Sequence, residues 1–138
     1  MNKGADHDFE RKITYQPIGF VINEFDETTS RQEMRKGTSK ILLNDPWTEG
    51  LEGLEPGQPL LVIFHFHRIS EDLVLRQHPR GDENRPKRGV FTLRSPLRPN
   101  AIGVTRVTLQ KIENNLLYVH GLDAYHGTPV LDLKPARD

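Results

Sequence analysis

Seven short segments of strand-like composition, each ending at a turn signal, constrain the fold of this chain more than any other feature. They are rich in Val, Ile, Leu, Phe and Thr, and Gly, Pro, Asn or Asp residues separate them, which is typical of strands joined by turns. The segments are residues 15–22, 39–43, 59–68, 90–94, 103–112, 116–122 and 130–133. Only residues 23–36 and 47–54 leave room for a single helical turn. The pattern predicts an all-β fold, a small single β-barrel or closed sheet with short helical turns.

Residues 59–68 form the strongest of these predicted strands. Their centre, residues 60–64, is continuously apolar, which predicts burial on both faces. The far end alternates His65, Phe66 and His67, so both histidines should lie on one face of the strand. A His-x-His metal site would need a third ligand, for which His120 is a candidate. Partly exposed barrel histidines are the favoured interpretation, and no metal is expected.

Residues 103–122 predict a β-hairpin. Residues 103–112 alternate between a set that begins with Val104 and Arg106 and a set that contains Val107 and Leu109, which indicates a half-exposed strand. A turn at residues 113–115 then returns the chain along the following strand. By contrast, residues 77–88 are rich in Gly, Pro and charged residues and predict a mobile loop.

The length and composition indicate one domain. A chain of 138 residues is long enough to bury a core, and we assign residues 1–12 to a flexible tail and residues 13–138 to the domain. There is no cysteine, which excludes disulfides and thiolate metal sites. No apolar run approaches the roughly 18 residues that a membrane span needs, and the polar N-terminus resembles no signal peptide. A cytoplasmic location without a membrane partner is expected.

Charge is distributed unevenly although the net charge is zero. Residues 76–98 contain seven Lys and Arg against two acidic residues, whereas residues 45–55 contain four acidic residues and no Lys or Arg. A local basic patch is what phosphate contact requires, and a zero net charge does not exclude it. The alternative is a solvated surface loop. The candidates for RNA binding are Arg80, Arg85, Lys87 and Arg88.

Between residues 89 and 104 the chain passes through a stiff basic turn. Pro96 and Pro99 restrict the backbone there, so Arg94, Arg98 and Asn100 should be held at defined angles. Glycine at position 103 permits a close backbone approach where the next strand starts. A stiff turn around two guanidinium groups predicts a site for an anionic or planar ligand.

Two motifs in this chain resemble a known family. Residues 89–104, with the form GVF-x-x-RS-x-x-RPN-x-IG, and residues 126–135, HGTPVLDLKP, are similar to signatures of the TrmO (YaeB-like) family of S-adenosylmethionine-dependent tRNA methyltransferases. Residues 18–22 and the strand that ends in Phe66 and His67 match more weakly. The resemblance covers residues 15–135, nearly the whole chain.

The resemblance implies a single β-barrel that binds S-adenosyl-L-methionine outside any Rossmann fold. The chain itself has no glycine-rich dinucleotide fingerprint after a strand, which agrees with that expectation. The implied activity is N6-methylation of N6-threonylcarbamoyladenosine next to the anticodon of tRNA, by a homodimer. Two alternatives stay open, a non-catalytic S-adenosylmethionine-binding module or sensor and a methyltransferase that acts on a small molecule.

The resemblance also implies which residues bind the cofactor. They come from the loop after the first strand, the end of the long strand, the stiff turn with the strand after it, and the segment before the second motif. These residues are Arg31, Gln32, His67, Arg68, Arg94, Val104, Asp123, Ala124, Tyr125 and His126. Arg98 and Asn100 are expected on the substrate side, and no general base is identified. The chain departs from the family at Glu33 and Met34, where Pro-Gly is usual, and at His126, where a second Asp is common.

Several of these residues have structural alternatives. Arg94 could form an ion pair with Asp123 or Asp132, and Arg98 and Asn100 could simply close the turn. Asp132 and Lys134 are expected to pair with each other or to contact a partner subunit. For the ring of Tyr125, stacking on a base and a plain surface position are equally compatible with the sequence.

Overall fold

Eight strands and four short helices make up the part of the chain that the computed structural model describes, residues 11–69 and 71–136. The strands are β1 (Gly19–Ile22), β2 (Thr38–Leu43), β3 (Pro59–His65), β4 (Arg76–Gln77), β5 (Arg88–Gly89), β6 (Ile102–Glu113), β7 (Leu116–His120) and β8 (Pro129–Pro135). One α-helix, α1, spans Arg31–Arg35, and 3₁₀-helices span Asp45–Leu51, Pro79–Gly81 and Val90–Thr92. Most of the predicted N-terminal tail, residues 1–10, lies outside the described residues, while Arg11 and Lys12 are exposed.

Six of the strands close into an antiparallel barrel in the order β1-β2-β7-β6-β3-β8, which confirms the predicted fold class. Closure comes from pairing of β1 with β8, where Gly19 lies opposite Val130 and Phe20 opposite Pro129. A closed barrel leaves no unpaired edge for another chain to join. No helix in the described residues has the length and apolar character needed to cross a membrane.

The core inside the barrel is formed by every second side chain of each strand, because successive side chains of a strand point to opposite faces. On β3, Leu60, Val62 and Phe64 are buried, and on β6 Val107 and Leu109 face the same interior. Leu61 and Ile63, on the outer face of β3, are only half-buried, so the prediction of burial on both faces was wrong for this strand. Burial of each large apolar side chain contributes roughly 1.5–3 kcal/mol.

The predicted hairpin is confirmed by the pairing of β6 with β7. Exposed Val104 and Arg106 alternate with buried Val107 and Leu109, as the sequence indicates. Asn114 takes the left-handed conformation, with φ of 54°, that a tight turn requires and that Asn tolerates. A register shift between Leu109 and Lys111 adds a local irregularity to the strand pair.

Helix α1 lies within residues 23–36, where the sequence allowed a single helical turn. The Ser30 hydroxyl accepts a hydrogen bond from the Glu33 N–H, and the Glu33 carboxylate accepts one from the Ser30 N–H, a reciprocal capping box. Met34 is buried and anchors the helix to the barrel. The exposed face therefore presents Arg31 and Gln32 to the solvent.

Two local predictions were wrong. Residues 90–94 do not form a strand, because Val90 is buried in a 3₁₀ turn and donates its N–H to the Leu75 carbonyl, while Phe91 is 77% exposed. Residues 77–88 are not only a loop, since β4 and β5 pair as a two-stranded sheet around them. Both segments depend on contacts with residues 71–76, for which the sequence offered no periodic pattern.

Candidate functional site

Two adjoining clefts lie where α1 and the stiff basic turn meet the barrel wall. The first, of about 570 Å³, is bordered by β3, β6 and β7. The second, of about 910 Å³, lies between α1 and the segment of residues 77–97. The two clefts share four lining residues: Arg31, Arg35, Leu93 and Arg94.

Asp123 is the one carboxylate among the described residues that line the first cleft. Its Oδ1 accepts a hydrogen bond of 2.5 Å from the Thr105 hydroxyl on β6. Its Oδ2 lies 3.5 Å from Nη2 of Arg35 and 4.0 Å from Nε of Arg31. The Thr105 hydroxyl and the two guanidinium groups hold the Asp123 side chain in place. Because this side chain is still 13% exposed, it borders the cleft.

An aromatic pair forms the apolar part of the first cleft. Phe64 and Phe66 pack edge to face with ring centroids 5.2 Å apart, close to the preferred geometry of aromatic pairs. Both rings lie close to Gly103, where an added Cβ would be 2.6 Å from the Phe64 ring and 2.8 Å from the Phe66 ring. Glycine at 103 is therefore required by a close approach, as the sequence predicted, and Val104 beside it is 40% exposed toward the cleft.

The stiff turn contributes its two arginines differently. Nη1 of Arg98 donates to the carbonyls of Leu93, at 2.9 Å, and Ser95, at 3.2 Å, so this side chain closes the turn while it borders the first cleft. Arg94 is exposed and borders both clefts. Asn100 borders neither cleft.

The proposed ion pair of Arg94 is not formed among the described residues. Asp123 pairs instead with Arg31 and Arg35, and Asp132 pairs with Lys134 at 2.8 Å. The prediction that Asp132 and Lys134 form a pair is confirmed, and Arg94 is left to face the two clefts.

The second cleft is strongly basic. Six arginines line it, and none of its lining residues in the described chain is acidic. These arginines are Arg31, Arg35, Arg80, Arg85, Arg88 and Arg94. Three of the four predicted RNA-binding residues are therefore gathered here, whereas Lys87 is not among the lining residues. Gln32 borders only this second cleft.

Four of the predicted cofactor residues form a separate cluster that lines neither cleft: His67, Arg68, Tyr125 and His126. Arg68 donates to Glu27 at 2.6 Å, and its guanidinium carbon lies 5.8 Å from the centroid of the Tyr125 ring. Burial, the Arg68 charge and His65 lower the pKa of His67 below its ordinary value of 6.5. Their role toward a cofactor stays a prediction.

Backbone contacts join this cluster to the rest of the site. His126 Nδ1 accepts a 3.2 Å hydrogen bond from the Asn23 N–H, and Asn23 Nδ2 donates to the carbonyl of buried Ala124 at 2.9 Å. Asn23 thus ties the segment that carries Asp123 to the loop before α1. No group of three His, Asp or Glu side chains in residues 11–69 and 71–136 is arranged to hold a metal ion.

Arg35 and Thr105 line the first cleft, but the sequence analysis did not include them among the candidate site residues. Arg35 follows Arg31 by one helical turn, a spacing that places both on one helix face and could have identified it. Thr105 was interpreted only as part of an alternating strand, and its hydrogen bond to Asp123 depends on the tertiary fold.

Comparisons with known proteins find a matching family model and several similar sequences. The family model of the tRNA-methyltransferase O N-terminal domain matches residues 23–137. A probable S-adenosyl-L-methionine-binding protein of Methanocaldococcus jannaschii is 39% identical over 122 residues, which cover 86% of this chain and 88% of that protein. The tRNA (adenine(37)-N6)-methyltransferase of Rattus norvegicus is 42% identical over 129 residues, 87% of this chain and 30% of that protein.

Solved structures show the same architecture. The crystal structure of TrmO from Pseudomonas aeruginosa superimposes with a TM-score of 0.70 at 30% identity and covers 92% of this chain and 57% of that one. The chain thus spans most of the archaeal relative, but less than a third of the rat protein and just over half of the Pseudomonas one.

Proposed function

Because this chain belongs to the family of the tRNA-methyltransferase O N-terminal domain, we propose that it transfers a methyl group from S-adenosyl-L-methionine to an adenosine of tRNA. The rat relative is named as a methyltransferase of that kind, and the archaeal relative as a binding protein for the same cofactor. The finer proposal is that the acceptor is N6-threonylcarbamoyladenosine next to the anticodon.

The composition of the first cleft carries this proposal. S-adenosylmethionine has an ammonium, a carboxylate and an adenine ring, and the cleft offers a matching donor set. Asp123 would attract the ammonium group, and Arg94 would bind the carboxylate. Phe66, which packs on the buried Phe64 ring, would contact the adenine together with Val104. The residues therefore fit the cofactor.

The task of the protein in such a reaction is positioning. When bound, S-adenosylmethionine supplies a methyl group that its sulfonium centre has already activated. The chain's own residues orient the reactants and exclude water, an effect that can contribute several kcal/mol to a two-reactant step. In the first cleft, the aromatic pair and Val104 form an apolar side that excludes water. The guanidinium groups of Arg31, Arg35 and Arg94 provide positive charge on another side of the same cleft.

A threonylcarbamoyl group would add a carboxylate to the acceptor. Arg98 borders the first cleft and uses Nη1 on the turn carbonyls, which leaves the other N–H groups of its guanidinium to bind such an anion. We propose Arg98 for this role, with Asn100 as a further contact if the substrate extends past the cleft. A homodimeric state and a cytoplasmic location belong to the same proposal.

The second candidate function is a non-catalytic module that binds S-adenosylmethionine. The name of the archaeal relative, which this chain covers almost completely, favours it. Such a protein would use the first cleft in the same way, but it would transfer no methyl group to RNA.

The test begins with titration calorimetry of the purified protein with S-adenosylmethionine. We expect saturable binding that is lost in Arg94→Ala and kept in Arg76→Ala, since Arg76 borders neither cleft. Single-turnover transfer from labelled cofactor is then measured with tRNA that carries the threonylcarbamoyl group and with the same tRNA without it. Transfer to the modified tRNA supports the finer proposal. Binding without transfer to either RNA supports the module, and absence of binding refutes both.

A further inference from the structure

We propose that the second cleft binds the phosphate backbone of the RNA, and that Arg35, Arg80, Arg85 and Arg88 are its phosphate contacts. The assignment rests on the proposed function in one respect, the choice of RNA as the polyanion. The cleft itself is defined by geometry and charge. It adds Arg35 to the candidate RNA contacts and leaves out Lys87, which has the same charge but lies outside the cleft lining.

The second cleft has a large excess of positive charge. Guanidinium groups stay protonated at all physiological pH values, and six of them surround this cleft with no acidic lining residue in the described chain. The side chains of Arg80, Arg85 and Arg94 form no hydrogen bond or ion pair within residues 11–69 and 71–136. Arg31 and Arg35 share the Asp123 carboxylate, whereas no carboxylate of the described residues pairs with the other four arginines of the cleft. Like charges gathered with so little counter-charge repel one another, so the arrangement is expected to be neutralised by a bound anion.

Hydrogen bonds hold the segment that carries these arginines in place, as a phosphate site requires of its donors. The β4–β5 pair puts Gln77 opposite Arg88, and His78 Nδ1 lies 2.7 Å from the Arg85 carbonyl. The Gln77 side-chain amide donates to the carbonyls of Val74, at 2.6 Å, and Leu97, at 2.9 Å, which fastens this hairpin to the stiff turn. Arg80 adopts a left-handed backbone conformation with φ of 55°, which aims it differently from its neighbours.

The proposed phosphate contacts come from separate segments of the chain. Arg35 comes from α1, Arg80 and Arg85 from the loop between β4 and β5, and Arg88 from β5 itself. A single phosphate would need two or three guanidinium groups, whereas donors spread over a cleft of about 910 Å³ suit several phosphates of one strand. A chain of phosphates is the signature of a nucleic acid.

The second cleft lies directly beside the first. Arg31, Arg35 and Arg94 form a common wall of the two clefts, so an RNA backbone in the second cleft would pass directly beside the proposed cofactor site. A nucleotide turned out of that backbone could then enter the first cleft. An acidic peptide could also meet the charges, but nothing about a peptide requires the neighbouring aromatic cleft.

The test measures binding of a fluorescently labelled tRNA anticodon stem-loop between about 50 and 200 mM KCl. We expect Arg80→Gln and Arg85→Gln to weaken binding several-fold. Each should also reduce the slope of log Kd against log salt by about 0.7 to 0.9, the amount of one phosphate contact. The matched control is Arg76→Gln, which removes the same charge from the same hairpin outside the cleft and should leave the slope unchanged.

Calorimetry with S-adenosylmethionine is carried out on the same variants. Arg80 and Arg85 border only the second cleft, so their variants should bind the cofactor like the wild type, which also shows that they are folded. Equal salt slopes in the wild type, Arg80→Gln and Arg85→Gln would overturn the inference, and so would a polyglutamate peptide that binds as tightly as the RNA. If the slopes change as expected while the wild type transfers no methyl group, the proposed activity fails and the phosphate site stands.

Discussion

Thr105 on β6 donates its hydroxyl hydrogen to Oδ1 of Asp123 across 2.5 Å, and this bond connects the barrel wall to the segment between β7 and β8. The bond satisfies one oxygen of a largely buried carboxylate and leaves the other oxygen to Arg31 and Arg35. Thr105 thus positions the only acidic group that the described residues contribute to the first cleft.

Thr105→Val should weaken both the fold and the cleft. Valine has nearly the same shape but cannot donate, and loss of a hydrogen bond to a charged group costs about 1.5–3 kcal/mol. We expect a loss of that order in the free energy of unfolding measured in urea, with weaker cofactor binding by calorimetry. Thr105→Ser keeps the hydroxyl and should restore most of both. Equal stability of the Val variant and the wild type would show that the bond contributes nothing.

Gly103→Ala should destabilise the barrel. The new methyl group would lie 2.6 Å from the ring of Phe64, which is buried and cannot move away freely. Overpacking of this kind costs about 1–3 kcal/mol, to be read from urea unfolding. Gly50→Ala is the matched control, because its methyl group would meet no atom within 4 Å. A similar effect of both substitutions would argue against steric crowding as the cause.

Ser30→Ala should loosen α1. The substitution removes the hydroxyl that accepts from the Glu33 N–H, and loss of such a cap costs about 1 kcal/mol. Since α1 carries Arg31 and Arg35, RNA affinity should fall together with stability, as measured by anisotropy and urea unfolding. Ser30→Asp retains a capping oxygen and should behave like the wild type. If the Ala and Asp variants lost equal stability, the cap would not be the reason.

Acid should destabilise the protein partly through His67. Its pKa in the folded state is lowered by burial, by Arg68 and by His65, against an opposing effect of Glu27. The unfolded chain therefore binds more protons than the folded one, and stability decreases as the pH falls from the unfolded value of 6.5 toward the lower folded pKa. The effect should be small, because His67 is exposed.

The measurement compares urea unfolding of the wild type and His67→Gln at neutral pH and in mild acid. The wild type should lose more stability than the variant between the two conditions. A variant that loses as much as the wild type would place the acid sensitivity elsewhere in the chain.

Much of the barrel was predictable because its signals are local. The alternation of Val107 and Leu109 with Val104 and Arg106 assigns the two faces of β6 without any knowledge of the partner strands. Asn114 identifies the following turn for the same reason. The strand predicted at residues 90–94 fails because a short apolar run becomes a strand only when a partner pairs with it, and Val90 bonds to Leu75 in a turn instead.

The sequence by itself determined the all-β class, the faces of the long strands and the stiff arginine-bearing turn, since all three follow from spacing and backbone restriction within a few residues. The tertiary structure alone decided that β1 meets β8, that Asp123 bonds to Thr105, and that Arg31 and Arg94 share a wall between two clefts. These relationships join segments far apart in the chain. Their physical cause is barrel closure, which sets the registers of all six strands and so brings together the segments that those strands connect.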